Sequence, residues 1–175
     1  MLVLGLTTTS GLYRTVLVLH ILCAIVGFGA VMLNAIYGAE SKKRPGPEGI
    51  AVFDANFRVS TIGEYFIYAV PIFGILMVIL DVGWKFSQTW VWLALTIYVA
   101  ALAVSHGVLF PTLKKMRALM GELAAGPPPG APPPTGPPPQ VAQLEVLGKR
   151  LGVVGPVLNL AVVAVLILMV WKPGV

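Results

Sequence analysis

The sequence predicts an all-α fold, an integral membrane four-helix bundle, and three observations predict it. Of 175 residues, 57% are hydrophobic and only 11% charged, against roughly 25% charged in soluble domains, so most of the chain needs a solvent other than water. Four apolar stretches, residues 12–37, 59–80, 90–110 and 151–171, reach the length of about 20 residues that a helix needs to cross a hydrocarbon layer about 30 Å thick. Charges, prolines and aromatic residues collect between these stretches, where helices must end. The expectation is one membrane domain over residues 1–175, running up-down-up-down with both termini on the outer side.

The first stretch lacks a positively charged lead-in and a small-residue cleavage site, so it is expected to be a retained span rather than a removed signal. It carries His20, a titratable ring within hydrocarbon and therefore expected to have either a job or a partner. His20, Ala24, Gly27, Val31 and Asn34 follow at i, i+4, i+7, i+11 and i+14, a stripe of small and polar residues that should face protein rather than lipid. Its alternative reading is a pore lining. Cys23 is the only cysteine, which excludes a disulfide or a thiolate metal cluster built from this chain alone.

Between the first two spans, Pro45-Gly46-Pro47 should break any helix and leave an ordered but irregular connection over residues 38–58, with Ile50 to Phe53 returning to the membrane surface. The second span carries Ser60, Glu64, Tyr68, Pro71 and Gly74 along one side, and Pro71 should bend it and free a carbonyl. The short turn through Asp81, Gly83 and Lys85 makes the second and third spans antiparallel neighbours, with Asp81 read as a solvated helix-end charge. The third span ends near Ser105 and His106. Helical spacing continues over residues 112–125 and resumes over 141–149, so the third and fourth helices should project beyond the membrane.

Residues 126–140 hold three triple-proline runs. Ring-locked φ and missing donors leave polyproline II there, either a spacer closing a helical hairpin or a strap that docks on a partner. The last span presents Gly148, Gly152, Gly155 and Asn159 on one side, a second close-packing stripe.

The formal charge of +5 has a topological reading, because the basic residues flank spans. Lys42, Lys43, Arg44 and Arg58 lie in the first long connection, and Lys114, Lys115, Arg117, Lys149 and Arg150 in the second, against Arg14, Lys85 and Lys172 on the other side. The positive-inside rule makes the long connections cytoplasmic. Lys42, Lys43, Arg44, Lys114, Lys115 and Arg117 are then expected to meet anionic phospholipid or a partner subunit, and nucleic acid is not expected. Tyr13, Trp84, Trp90, Trp92 and Trp171 should form the outer aromatic belt, and Tyr37, Phe57, Tyr65 and Phe110 the inner one.

Counting from the cytoplasmic boundary places Asn34, Glu64 and His106 in the inner third of the bilayer. An unpaired carboxylate there is expensive, so Glu64 is expected to accept from His106 and Asn34, with Arg58 at the mouth of the network. A haem held by both histidines is excluded by depth, since His20 and His106 are separated by roughly 14 Å along the membrane normal. No histidine or carboxylate pair at i, i+4 spacing, phosphate loop or nucleophile with a readable base is present. Neither a catalytic site nor a cofactor is expected, with His20 as the alternative cofactor ligand.

The pattern Leu19-His20-Ile21-Leu22, then Ala24-Ile25-Val26, then Phe28-Gly29 resembles the first helix of small bacterial four-helix membrane proteins. This group includes copper-resistance D-like proteins and a related family of unknown function. The segment around the histidine is also similar to membrane protoporphyrinogen oxidases, whose usual tryptophan and arginine are missing here. Separately, the span layout and residues 126–140 resemble the proline-rich accessory subunit of actinobacterial cytochrome bcc-oxidase supercomplexes. These resemblances imply a bacterial inner membrane location. They also imply one of two roles: a non-catalytic accessory subunit that stabilises a larger membrane complex, or a haem- or copper-handling redox protein centred on His20.

Overall fold

The computed structural model describes residues 10–44, 46–126 and 136–174. Five α-helices follow in order: α1 (Gly11–Lys43), α2 (Gly46–Leu80), α3 (Thr89–Val104), α4 (Phe110–Ala125) and α5 (Pro139–Trp171). A π-helical turn, Ser105–Leu109, fuses α3 and α4 into one rod of 37 residues. The protein thus has four helical rods long and apolar enough to cross a membrane, arranged as a four-helix membrane bundle, and no β-strand among the described residues. Residues 127–135 of the proline-rich segment lie outside the described residues.

The rods outrun the apolar stretches. At 33 residues, α1 is about 50 Å long, well beyond a hydrocarbon layer of about 30 Å. The excess lies at the end of the bundle rich in Lys and Arg, the basic end. There Phe53, Leu113 and Met116 form a buried cluster packed by Leu144, Leu147 and Leu151, so α2, α4 and α5 hold one another beyond the apolar segments.

The connection between α1 and α2 corrects the expected irregular loop over residues 38–58. Helix α1 continues to Lys43, and α2 begins at Gly46. Gly46 takes φ +60°, open to glycine at no steric cost. Pro47 then falls in the first turn of α2, where its missing N–H removes no helical bond. Ser41 Oγ donates to Gly49 O at 2.8 Å, and a Cβ on Gly49 would stand 2.3 Å from Arg44 O. A proline pair that reads as a breaker therefore acts as the start signal of the next helix. The segment Ile50 to Phe53 lies inside α2, with Phe53 in the basic-end core.

Helices α1 and α2 form the most intimate pair. A Cβ on Gly27 would meet the Ile67 backbone N at 3.0 Å, and one on Gly63 would meet Ala30 Cβ at 2.5 Å, so the backbones touch where hydrophobic driving force between helices is absent. The antiparallel register set there runs along the whole pair, from Asn34 opposite Ser60 to Tyr13 packed on Leu80. Helices α3 and α5 make the second pair, meeting through Tyr98, Val162 and Val165, to which Cys23, Phe28 and Val70 add the other half of the central core.

The glycine stripe of α5 does not repeat the first. A Cβ on Gly148 would meet only the Lys42 side chain, at 3.3 Å, and Gly152 and Gly155 have nothing within 4 Å. Buried Leu158, Val162, Val165 and Leu168 space α5 from its neighbours instead. Asn159 Oδ1 is buried with no partner among the described residues.

Gly63→Val should cost about 1–3 kcal/mol by overpacking the α1–α2 crossing. Gly152→Ala should be neutral or add up to about 1 kcal/mol through helix propensity. Thermal unfolding of both variants in detergent checks the contrast; equal effects would mean the close approach is not where the backbones place it.

Candidate functional site

Pro71 creates the first polar obligation inside the bundle. It has no N–H for the carbonyl four residues earlier, Ile67 O, and in hydrocarbon no water can take that place. The Tyr98 hydroxyl donates to Ile67 O, satisfying the carbonyl from α3 and tying the two helix pairs together. Pro111 acts similarly one rod later: its ring conflicts with the carbonyl of Gly107, and the π-helical turn immediately precedes it.

The second polar group is a cluster on the basic-end half of α2 and the π-turn. His106 Nε2 lies 3.0 Å from Glu64 Oε1 and 2.5 Å from the Tyr68 hydroxyl, Tyr68 donates to Glu64, and His106 Nδ1 donates to Leu102 O at 3.0 Å. Glu64, Tyr68 and His106 thus give one another polar partners at a depth where hydrocarbon would supply none.

The structure brings Glu64 and His106 together and adds Tyr68 as the bridge. Asn34 belongs elsewhere, since its Oδ1 accepts from Ser60 Oγ at 2.7 Å, because the α1–α2 register places it beside Ser60, a turn nearer the basic end than Glu64. Arg58 has no ion pair among the described residues.

The third group surrounds His20. Its Nδ1 lies 2.9 Å from Val70 O, and since a carbonyl only accepts, the proton is on Nδ1 and the neutral ring keeps a lone pair on Nε2. The ring lies against Gly74, where a Cβ would come within 3.2 Å of Cε1. His20 lines a cavity of about 310 Å³ walled by Tyr13, Met77, Trp84, Trp90, Tyr98 and Met169, with Lys172 at its rim. Trp84 Nε1 donates to the Tyr13 hydroxyl at 3.1 Å, Trp90 stands edge-on to Trp84, and Lys172 Nζ sits 4.1 Å over the Trp84 ring.

This arrangement corrects the expected aromatic belt. Trp92 and Trp171 face outward, but Tyr13 and Trp90 are buried, because the hairpin between α2 and α3 folds Trp84 over the bundle end and gives the rings one another as partners. Asp81 is likewise not a solvated charge. It is 5% exposed, and its Oδ1 accepts from Gly83 N at 2.7 Å, closing the turn. Cys23 is buried in the central core as a free thiol.

The basic residues divide into two sets. Lys43 and Arg44 pair with Glu40 at 2.8 and 2.7 Å, and the hydrogen bond from Lys43, then that from Arg44, holds the Glu40 carboxyl below its ordinary range. Arg117 pairs with Asp54 at 2.7 Å and lies over the Phe57 ring. Lys42, Lys114 and Lys115 are exposed with no ion pair among the described residues. Among the described residues, no group of three or more His, Cys, Asp or Glu is placed to hold a metal ion.

The four membrane-length helical rods define a small polytopic helical membrane protein. Residues 14–173 match the family described as predicted integral membrane protein (DUF2269), and the chain belongs to that family. No curated protein and no solved structure matches it.

Tyr98→Phe should cost roughly 1–2 kcal/mol by stranding Ile67 O. In a Pro71→Ala background, where an N–H is restored to that carbonyl, the same change should cost less than half as much. A double-mutant cycle of thermal stabilities measures the difference, and additive costs would show that Tyr98 does not serve the carbonyl.

Proposed function

We propose that this chain is a non-catalytic accessory subunit that binds and stabilises a larger membrane complex through the α2 and π-turn face bearing Glu64, Tyr68 and His106. The observation that carries the reading is the exposure of an ionisable pair at membrane depth. Glu64 lies sixteen residues from the end of α2 at Leu80, about 24 Å, and so within the hydrocarbon layer. Yet the side chains of His106 and Glu64 are 48% and 21% exposed, and the adjoining Tyr65 is 71% exposed. Ionisable residues in spans nearly always face protein or a water-filled cavity, so a second protein is the natural cover for this face.

The positive-inside rule orients the basic end toward the cytoplasm and both termini outward in a bacterial inner membrane. Exposed Lys42, Lys114 and Lys115 suit anionic phospholipid headgroups there. The likeness of residues 126–140 to the proline-rich accessory subunit points to a respiratory assembly as the class of partner. A haem- or copper-handling role centred on His20 is the second reading: among the described residues no group of three or more His, Cys, Asp or Glu gathers there, and the soft donors lining the same cavity are the thioethers of Met77 and Met169.

Isolation of the full chain from its native membrane in mild detergent tests the reading. It should bring down a larger membrane complex in fixed ratio, and His106→Leu should reduce the captured partner roughly fivefold, corresponding to about 1 kcal/mol of interhelical hydrogen bonding. A solitary, monodisperse chain would overturn the reading.

A further inference from the structure

The cavity at the tryptophan-bearing end of the bundle is not used by the docking reading and stands independently of it. We propose that it is a binding site for a membrane-borne hydroxylated ring of the hydroquinone class, whose O–H donates to His20 Nε2. The acceptor is built in place: Val70 O takes the Nδ1 proton at 2.9 Å, and Gly74 leaves room for the ring edge. Securing one imidazole nitrogen on a backbone carbonyl fixes the tautomer and aims the other. Nε2 has no hydrogen-bond partner among the described residues.

The rest of the site suits a flat apolar body. Its volume, about 310 Å³, falls at the lower end of small-molecule pockets, and its walls are aromatic and aliphatic side chains with two thioethers. Access is from the bilayer. The lining residues Ile21, Ile75 and Val170 are 47%, 37% and 76% exposed on the outside of the bundle, so the cavity reaches the lipid-facing surface. His20 is nine residues from the start of α1, about 14 Å below the end of the bundle where Lys172 sits. A plain acyl chain would fill this space but offer the Nε2 lone pair no donor.

The test uses the full chain in detergent, with quenching of Trp84 and Trp90 fluorescence as the readout. The probes are a short-tailed naphthohydroquinone kept reduced under argon, its dimethyl ether, and oleate. The hydroquinone should bind saturably and the ether, which keeps the shape but has no O–H, at least about tenfold more weakly, equivalent to roughly 1.4 kcal/mol. His20→Leu should abolish that discrimination. If this variant fails to fold, the comparison of hydroquinone with ether on the unaltered chain decides by itself. Equal binding of ether and hydroquinone, saturable binding of oleate alone, or no saturable binding of any probe would overturn the proposal. So would a haem or copper ion retained by the unaltered chain and lost in His20→Leu, since Nε2 would then be a metal ligand.

Discussion

The close crossing of α1 and α2 is the constraint on which the remaining contacts depend. Lipid tails are as apolar as leucine, so two helices in a bilayer gain little from apolar contact as such and must gain from proximity. Gly27 and Gly63 allow that proximity, with Ile67 and Ala30 seated against them. Once the crossing is made the register is set. His20 falls beside Val70 and Gly74 toward one end, and Asn34 beside Ser60 toward the other.

The second helix pair joins the first by a different logic. Helices α3 and α5 approach across larger side chains, and the links from α3 and the π-turn back to α2 are long polar arms. Tyr98 reaches the carbonyl that Pro71 leaves open, and His106 reaches Glu64 through Tyr68. Each arm answers a polar group that hydrocarbon would otherwise strand. Spacing by arms rather than by backbone contact leaves volume between the pairs, and the cavity beside His20 occupies it. Prolines that weaken individual helices thereby help to make the bundle both connected and hollow.

Much of this was legible in residue order. The four spans follow from apolar length, and the stripe from His20 to Asn34 follows from helical spacing in which every member but Val31 is small or polar. Depth counting was enough to bring Glu64 and His106 to one level. It was too coarse to separate Asn34 from them, because a single turn decides whether that amide meets Glu64 or Ser60, and only the glycine crossing sets that turn. The same limit explains α5: Gly148, Gly152 and Gly155 have the spacing of a packing stripe, but glycine permits approach without compelling it, and bulky neighbours hold the helices apart. At the first connection, Pro45-Gly46-Pro47 was open to two readings, since proline breaks a helix from within and begins one from its first turn.

Sequence by itself determined the solvent of this protein, the number of rods and the polar residues that would need partners, because these depend on composition and on distances along one helix. Tertiary structure alone decided who the partners are. Tyr98 for Ile67, Tyr68 between Glu64 and His106, and a buried setting for Asp81 and Trp90 all depend on how far apart the rods stand and how each is turned. Those quantities arise from side chains meeting across chains of distant sequence, where periodicity along a single helix carries no information.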